Sequence, residues 1–285
     1  MELDRLVALA IDEDLGHGDV TTDTVVPPEL VGAGELLAKQ DLVLAGHAAA
    51  AAVFAEVGRR TGGDAAYVAE VAEGTEVAAG TVVARVSGQL ATLLVAERTA
   101  LNLVMRMCGI ATNTRRHVEA AGPGGPRIVD TRKTTPLHRA LEKHAVRCGG
   151  GHNHRHALFD GILIKDNHVD AVGSLTEAVR RARAGNHHLL KVEVEVRTLD
   201  EVDEALASGA DVLLLDNMSD DTLQEAVRRA RAARPVILEA SGNMNVARIE
   251  RIRGFGIDLV SVGGLVHQAR WADLSLKVRP VRPTA

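Results

Sequence analysis

The chain has 285 residues, a hydrophobic content of 46% and a formal net charge of −5, so it can bury a substantial core in one large domain or two smaller ones. No apolar run reaches the roughly 18 residues of a membrane-spanning helix, which argues against a membrane partner. Proteins that bind single-stranded nucleic acids stack bases on aromatic side chains. An aromatic content of 2% together with the negative charge therefore argues against a nucleic-acid partner.

Two features favour a cytoplasmic location. The first residues, Met1 to Arg5, lack the basic start and apolar core of a signal peptide. The two cysteines, Cys108 and Cys148, form no C-x-x-C pair and no recognisable metal-binding pattern. We therefore expect both to be reduced thiols, as is usual in the cytoplasm, and to be small buried residues.

The N-terminal third mixes helices and short strands. Residues 3–11 are predicted to form an amphipathic helix, and residues 12–22 are rich in acids and glycines. The oxygen spacing of residues 12–22 does not match an EF-hand, so we interpret them as a structural loop rather than a calcium site. Residues 34–46 alternate like a pair of strands, and the alanine-rich residues 48–60 favour a helix.

Residues 68–86 contain short apolar runs separated by glycine turns and resemble half of a biotinyl or lipoyl carrier domain. Such carriers present a modified lysine on a hairpin. No lysine lies between Lys39 and Lys133, so we interpret the stretch as sheet scaffold.

Residues 90–121 are predicted to form a long helix interrupted at Gly109 and Ile110. Arg98 and Asn102 share one face of this helix. From the spacing alone, Arg98 is a surface arginine.

The most distinctive stretch is residues 130–168, which concentrates positive charge in an acidic protein. It contains D-T-R-K-T-T-P, R-C-G-G-G-H-N-H-R and L-I-K-D-N-H, in that order. Apolar runs at 127–130 and 161–164 bracket it and are typical of buried parallel strands. Between them, Pro136 is predicted to open a helix that ends at Gly149. Because the charges adjoin strands and glycines, we interpret the cluster as a site for a small anionic ligand.

From residue 127 onward, strands alternate with helices. The two strands above are followed by strands at residues 190–196, 212–215, 236–238 and 259–262. Ser174 and Thr198 each precede a glutamate by three residues, a spacing typical of capping boxes, and Ser219 suits a third helix start. This alternation predicts a parallel sheet closed, or nearly closed, into a barrel.

Polar or glycine residues recur at or just beyond the strand ends: Thr131, Arg132 and Lys133, then Lys165, Glu195, Asp216, Glu239, Ser241-Gly242-Asn243 and Gly263-Gly264. Because active sites lie at the carboxyl ends of parallel strands, these residues predict one shared site. The glycine turns before the last two helices favour phosphate binding through backbone N–H groups. Glu193 and Glu195 share a strand face, and Glu193 could equally form a structural ion pair.

The three motifs of residues 130–168, with an N-terminal E-D-x-G-x-G-D-x-T-T-like segment and a C-terminal D-x-S-L segment, resemble the quinolinate phosphoribosyltransferase family. The resemblance implies an N-terminal α/β sandwich domain beside an incomplete, open-faced α/β barrel with parallel strands. We expect the sandwich at residues 1–109, joined by the tail 270–285, and the barrel at residues 110–269.

The resemblance also implies residue roles. Quinolinate is expected to be bound by Arg132, His154, Arg155 and Lys165, together with Arg98 of the partner subunit in a homodimer. The 5-phosphate of 5-phosphoribosyl 1-diphosphate is expected at Ser241, Gly242, Asn243, Gly263 and Gly264. Thr131 is also expected in the substrate site, and Lys133 should face the pyrophosphate or the reacting carboxylate. Lys133, Glu195 and Asp216 are the expected catalytic residues.

The implied reaction transfers the phosphoribosyl group to the quinolinate nitrogen and releases pyrophosphate and CO₂, which gives nicotinate mononucleotide for NAD biosynthesis. Mg²⁺ should enter with the diphosphate, near Glu195 and Asp216, without an assigned direct ligand. Assembly beyond the dimer stays open.

Two residues depart from the family pattern. Leu137 stands where the family often has glycine after T-T-P. If that position requires a positive φ, leucine should cost roughly 1–2 kcal/mol. His144 stands where tyrosine is usual.

Two other functions stay open from the sequence. One is a relative with the same barrel and another anionic substrate, such as the molybdenum-transport-associated homologues. The joint presence of Arg132, Lys133, Arg155 and Lys165 favours a dicarboxylate instead. The other is a non-catalytic module that binds phosphorylated sugars. Glu195 and Asp216 argue against it.

Overall fold

The computed structural model describes residues 3–281. Residues 1, 2 and 282–285, which fall within the predicted domain bounds, lie outside the described part. The described residues form two compact units. The first comprises residues 3–115, 134–150 and 268–281, and the second comprises residues 116–133 and 151–267. This division assigns residues 134–150 to the first unit, whereas the sequence prediction assigned them to the barrel.

The first unit is built from an antiparallel sheet and helices. Its elements are α1 (Leu3–Leu15), α2 (Val20–Val25), β1 (Val31–Ala38), β2 (Leu42–Val43), α3 (His47–Thr61), β3 (Ala65–Ala69), β4 (Glu76–Val77), β5 (Val82–Gln89), most of α4 (Leu90–Ala121), α5 (Arg139–Cys148) and β12 (Leu274–Pro280), the last strand of the chain. Four strands form a sheet in the order β12-β1-β5-β3, and β2 pairs with β4. The helix α3 packs on β3, and α1 packs on α3, consistent with the predicted α/β sandwich.

The sheet core follows from alternation along β1. Its side chains are alternately exposed and buried, as expected for a strand with one face on a core. Leu36 and Ala38 lie on that buried face, and Val53, Phe54 and Val57 of α3 are buried as well. The strand β12 pairs with β1 from Gly32–Pro280 to Ala38–Leu274. The predicted return of the tail to the N-terminal domain is therefore confirmed.

The second unit alternates strands and helices. Its elements after α4 are β6 (Arg127–Val129), β7 (Ile162–Ile164), α6 (Asp166–Val172), α7 (Leu175–Ala184), β8 (Val192–Val196), α8 (Leu199–Ala207), β9 (Val212–Asp216), α9 (Asp220–Ala233), β10 (Ile237–Ser241), α10 (Val246–Ile252), β11 (Leu259–Ser261) and α11 (Gly264–His267). The six strands form one sheet in the order β6-β11-β10-β9-β8-β7, and every neighbouring pair is parallel. This is the strand order of a barrel left open between β6 and β7, which confirms the predicted fold class.

Side-chain caps start three of the outer helices as predicted. Thr198 and Glu201 form a full capping box at α8, and Ser219 accepts a hydrogen bond from the Thr222 N–H at α9. Ser174 caps α7 through the Glu177 N–H. The Glu177 carboxylate binds Arg180 and Arg181 instead of closing a box. Each cap satisfies backbone donors that the first helical turn leaves unpaired.

The predicted interruption of the long helix at Gly109 is wrong, because α4 runs unbroken from Leu90 to Ala121. A Cβ at Gly109 would lie 2.0 Å from the Arg270 carbonyl oxygen. The N–H of Ala272 donates to the Met105 carbonyl beside it. Glycine is therefore present because another backbone segment crosses the helix at this point, and not because the helix ends there.

Three further local predictions are corrected. The first helix extends to Leu15, and Asp19 caps α2 by accepting hydrogen bonds from Thr21 and Thr22, so the acidic stretch is only partly loop. The strand β1 pairs with β5 and β12 rather than with the strand that follows it. The helix α5 begins at Arg139 and not at Pro136, because Leu137 has a φ of +70°. A left-handed residue cannot continue a right-handed helix.

In the described part of the chain, no helix is both long and apolar enough to cross a membrane.

Leu137 carries the backbone strain that its place after T-T-P predicts. It is 65% exposed, so little packing would be lost on truncation. A leucine in the left-handed region destabilises the folded state by roughly 1–2 kcal/mol. Glycine removes this strain, but the greater entropy of its unfolded chain offsets roughly 0.5–1 kcal/mol of the gain. We expect Leu137→Gly to raise the free energy of unfolding by about 0.5–1 kcal/mol, measured by urea denaturation.

Leu189 provides the matched control, because it is an exposed loop leucine without a positive φ. Leu189→Gly should lower the free energy of unfolding. Equal effects of the two substitutions would show that Leu137 is unstrained.

Candidate active site

Most of the predicted site residues of the second unit lie along one edge of its parallel sheet, and His154 and Arg155 lie in the segment after Gly151. Because all six strands are parallel, their carboxyl ends face the same side. In strand order from β7 to β6, this edge carries Lys165; Glu195; Asp216; Ser241, Gly242 and Asn243; Gly263 and Gly264; then Thr131, Arg132 and Lys133. We call this the carboxyl edge.

Charged side chains from the ends of β7, β8 and β9 meet at the carboxyl edge. The Lys165 Nζ lies 3.4 Å from Glu195 Oε2. Arg197, directly after β8, lies 2.9 Å from Glu195 Oε1 and 3.5 Å from Asp216 Oδ2. It also contacts Asp166 at 2.8 Å. One guanidinium therefore balances three carboxylates, of which Glu195 has a side chain only 6% exposed.

Arg197 was missed by the sequence analysis. It follows V-E-V-E-V directly, so its position just beyond a strand end was the available signal.

The loops after β9 and β10 are joined by hydrogen bonds. The Asn217 N–H donates to the Ser241 carbonyl, and the Asn243 amide donates to Asn217 Oδ1 at 3.2 Å. Gly242 has a φ of +88°, and a Cβ there would lie 2.2 Å from Asn217 Oδ1. Asn217 and Asn243 also adopt positive φ, which asparagine tolerates better than most residues. The S-G-N turn is therefore a preformed loop in which glycine is required.

The loops after β6 and β11 also meet. A Cβ at Gly263 would lie 2.8 Å from Lys133 Cδ and 3.5 Å from Thr131 Oγ1. The Lys133 N–H donates to Thr131 Oγ1 at 3.1 Å. The lysine side chain therefore crosses directly over a glycine backbone, which can approach because no side chain intervenes.

The segment after Gly151 is held against β6 by Asp130. The Asp130 carboxylate is fully buried. It accepts the His154 N–H at 2.9 Å and the Asn153 amide at 2.6 Å. His152 forms a parallel bridge with Val129. These bonds fix the backbone that carries His154 and Arg155.

His154 faces two buried carboxylates. Its Nε2 lies 3.1 Å from Glu193 Oε2 and 3.7 Å from Glu239 Oε1, and its Nδ1 accepts the Arg155 N–H at 2.8 Å. Burial lowers the pKa of the imidazole, but the hydrogen bond to Glu193 and the charge of Glu239 outweigh burial, so the pKa lies above its ordinary value. Burial and the charge of Glu193 raise the pKa of Glu239 to about 7.

Two cations adjoin on the other side of His154. Burial and the positive charge of Arg132 lower the pKa of the Arg155 guanidinium. Arg155 also donates to the Gly161 carbonyl at 2.9 Å, which orients it. Two neighbouring guanidinium groups are stabilised by a bound anion, and their planar forks suit a carboxylate.

Arg98 is the one predicted site residue that lies in the first unit. It is exposed on α4 and lines a cavity of about 440 Å³ with Asp14 and Asp19.

The parallel sheet and its carboxyl edge, which combines glycine loops with cations and carboxylates, define an α/β enzyme-type site for an anionic substrate. The C-terminal domain model of quinolinate phosphoribosyl transferase matches residues 110–277, and the N-terminal domain model matches residues 19–108. The chain belongs to the quinolinate phosphoribosyltransferase family, which confirms the resemblance drawn from its motifs.

Individual relatives agree over nearly full length. The chain is 42% identical over 267 residues to a protein of Synechocystis named probable nicotinate-nucleotide pyrophosphorylase [carboxylating], covering 93% of this chain and 89% of the relative. It is 38% identical over 278 residues to the Bacillus subtilis protein of the same name, covering 98% and 94%. The crystal structure of NadC from Streptococcus pyogenes superposes with a TM-score of 0.92 at 37% identity, covering 98% and 97%.

The raised pKa of His154 can be tested by removing the carboxylate that contacts it. We expect Glu193→Gln to lower the pKa of the His154 imidazole, because the amide no longer stabilises the imidazolium. The measurement is an NMR titration of the imidazole C–H signal, assigned by its loss in His154→Gln.

Glu195→Gln is the matched control from the same strand, since Glu195 does not contribute to the shift of His154. An unchanged titration midpoint in Glu193→Gln, or an equal drop in both variants, would contradict the assignment.

Proposed function

We propose that this chain transfers the phosphoribosyl group of 5-phosphoribosyl 1-diphosphate to quinolinate and releases pyrophosphate and CO₂. The product is nicotinate mononucleotide, a precursor in NAD biosynthesis. One observation carries the proposal: Arg132, whose charge acts on the neighbouring Arg155, and the carboxylates of Glu195 and Asp216 share the carboxyl edge. A dicarboxylate requires the cations, and a cationic transition state requires the carboxylates.

Quinolinate would be held by its two carboxylates. Arg132 and Arg155 can each form a bidentate ion pair, and Lys165 can add a third cation once it turns from Glu195. The His154 imidazole, whose pKa is raised by Glu193 and Glu239, would lie beside the bound carboxylates. These contacts would orient the pyridine nitrogen toward the sugar.

The 5-phosphate would lie at the loops of Ser241, Gly242, Asn243, Gly263 and Gly264. The left-handed backbone at Gly242 and Asn243 supports this role, because successive N–H groups in such turns form a concave anion site. Lys133, which crosses Gly263, and Thr131 are suited to the pyrophosphate or the reacting carboxylate.

The residues present fit the predicted Mg²⁺. Glu195 and Asp216 both reach one cationic group, the Arg197 guanidinium, and oxygen ligands from one or two carboxylates with substrate phosphates are what Mg²⁺ prefers. When bound, the cation would neutralise charge on the departing diphosphate. Glu195 and Asp216 would hold it, and they would also hold the ribose hydroxyls.

In the proposed mechanism, the bond between ribose C1 and the pyrophosphate oxygen breaks and C1 gains oxocarbenium character. The negative charges of Glu195 and Asp216 stabilise that carbon electrostatically. The lone pair of the quinolinate nitrogen forms the new bond to C1. The C–C bond to the adjacent carboxylate then breaks and releases CO₂, the positive ring nitrogen stabilises the electron pair left on the ring carbon, and a proton from solvent forms a C–H bond with that pair. Orientation and fixed charge supply the acceleration without a covalent protein intermediate.

The proposal predicts that purified protein with quinolinate, 5-phosphoribosyl 1-diphosphate and Mg²⁺ releases CO₂ and forms nicotinate mononucleotide. Arg132→Ala should lower kcat/KM by an amount corresponding to about 2–5 kcal/mol, because a buried charged contact to quinolinate is lost. Arg127→Ala is the control, since Arg127 is exposed at the opposite end of the same strand.

Three outcomes would contradict the proposal or its residue roles. Product from nicotinate only would remove the second carboxylate from the substrate. Binding of the phosphorylated sugar without any product would indicate a binding module. Equal kinetics for Arg132→Ala and Arg127→Ala would remove Arg132 from the site.

We also propose that the active form is a homodimer in which Arg98 completes the site of the partner subunit. The exposure of Arg98 on α4 supports this assignment, since an arginine bound within its own subunit would be covered. The two free cysteines support the cytoplasmic location that the sequence predicts.

Mixing two inactive variants tests the dimer. Arg98→Ala and Arg132→Ala should each be inactive alone. After subunit exchange at equal amounts, about half of the dimers are mixed, and each mixed dimer carries one intact site. We expect recovery to about a quarter of wild-type activity. Failure to recover, with sedimentation showing mixed dimers, would mean that Arg98 acts within its own chain or not at all.

A further inference from the structure

Three chemically reactive side chains converge in the first unit, outside the proposed active-site residues. They are Glu73, in the turn before β4, and His144 and Cys148, on α5. We call them the Glu73–His144–Cys148 cluster. Because 71 residues separate Glu73 from His144, no sequence pattern could reveal this group.

The His144 Nε2, Glu73 Oε2 and Cys148 Sγ atoms lie close to one another. The His144 Nε2 lies 2.5 Å from Glu73 Oε2, and the Cys148 Sγ lies 3.5 Å from His144 Nε2 and 3.7 Å from Glu73 Oε2. Each residue therefore offers a single donor atom to a shared centre, and the three residues are half-buried.

The surrounding backbone fixes each of these groups. His144 and Cys148 are four residues apart, so they share one face of α5. Glu73 Oε1 accepts the N–H groups of Gly46 and His47, at 2.6 and 2.8 Å, at the start of α3. This leaves Oε2 directed at the other two residues. One carboxylate oxygen of Glu73 is therefore fixed by the backbone, and the other faces His144 and Cys148.

We propose that the Glu73–His144–Cys148 cluster binds a thiophilic divalent cation, for which Zn²⁺ fits best, with a fourth position open to water. Zn²⁺ takes sulfur, imidazole nitrogen and carboxylate oxygen as ligands. Tetrahedral zinc with bonds of about 2.0–2.3 Å places its ligand atoms roughly 3.3–3.6 Å apart. Both distances to Sγ are already close to this range. Only the nitrogen–oxygen pair, now hydrogen-bonded, must open.

Charge also favours a dication. A thiolate and a carboxylate carry two negative charges, and the imidazole is neutral when it binds metal. Without the cation, the hydrogen bonds of His144 with Cys148 and with the Glu73 carboxylate, which accepts, raise the pKa of His144 to about 10. The hydrogen bond from His144 likewise lowers the pKa of Glu73 to about 2. Because these ligands must lose their protons to bind a metal, binding should strengthen as pH rises.

Three other groups bear on the cluster. Tyr67 and Cys108 lie near the negative charge of Glu73. Burial and this charge both raise the pKa of the Tyr67 hydroxyl and of the Cys108 thiol, which favours their neutral forms. Arg147 lies with Nη2 3.2 Å from His144 Nδ1, on the ring edge away from the cluster. A metal-bound imidazole carries a proton on that nitrogen, so the exposed Arg147 must turn away when the cation binds.

The test measures Zn²⁺ binding to the full chain after chelator treatment, by calorimetry and by dialysis against micromolar Zn²⁺ with metal analysis. We expect one Zn²⁺ per chain, with protons released on binding. Co²⁺ should give a thiolate-to-metal charge-transfer band. Cys148→Ser should abolish that band and weaken Zn²⁺ binding at least about 100-fold, above the cost of losing a residue that merely orients a ligand.

Glu73→Gln is the second variant, because the amide oxygen can still accept the two N–H groups at α3 while the ligand charge is lost. It should also weaken binding. Cys108→Ser is the matched control, since the Cys108 Sγ bonds the backbone of Ala45. Cys108→Ser should bind as wild type, and Arg147→Gln should bind at least as tightly.

Some outcomes would overturn the proposal. Absence of bound Zn²⁺ would mean that the cluster only docks α5 through hydrogen bonds. Zn²⁺ binding that is unchanged in Cys148→Ser would show that the cation binds elsewhere and not at the Glu73–His144–Cys148 cluster. Binding lost in Glu239→Gln and kept in Cys148→Ser would assign the cation to the other histidine–glutamate group of the chain, His154, Glu193 and Glu239.

Discussion

The buried carboxylate of Asp130 is the contact on which the carboxyl edge depends. It has no exposure to solvent, so an ionised group there must be offset by hydrogen bonds. The His154 N–H and the Asn153 amide supply them. The same residue directly follows β6 and begins the loop of Thr131, Arg132 and Lys133. One side chain thus ties together the two segments that carry most of the cationic groups.

Charge balance then decides how the rest of the edge is arranged. Arg197 is shared by Glu195, Asp216 and Asp166, which keeps acidic groups together that would otherwise repel. Glu193 and Glu239 each leave one buried oxygen without a hydrogen bond among the described residues, and the His154 imidazole faces both carboxylates. Arg132 lies close enough to Arg155 for its positive charge to lower the pKa of the Arg155 guanidinium, so this part of the site is suited to an anionic ligand.

Much of this could be predicted from sequence because it is local. The six parallel strands are short apolar runs between turns, and the caps at Ser174, Thr198 and Ser219 are determined within one helical turn. The errors have tertiary causes. Gly109 is read as a helix break, but the glycine serves the close approach of Arg270. The true partners of β1 lie about 50 and 240 residues further along the chain, beyond the reach of any local pattern. Arg197 and the pairing of His144 with Glu73 likewise depend on contacts between separate elements.

The segment of residues 134–150 contains α5 and the residues that lead into it. It clusters with the first unit, yet the chain enters it from Lys133 and leaves it toward His154. Glu142, only 1% exposed, anchors it by accepting hydrogen bonds from Arg106 and from the Thr135 N–H. His144 anchors it again through Glu73. Breaking the largely buried ion pair of Arg106 with Glu142 should cost about 3–5 kcal/mol, more than the strain at Leu137. The segment therefore tolerates a left-handed leucine at its start because two ion pairs hold the helix that follows. A cation bound at the Glu73–His144–Cys148 cluster would replace the second ion pair with metal–ligand bonds to the same residues.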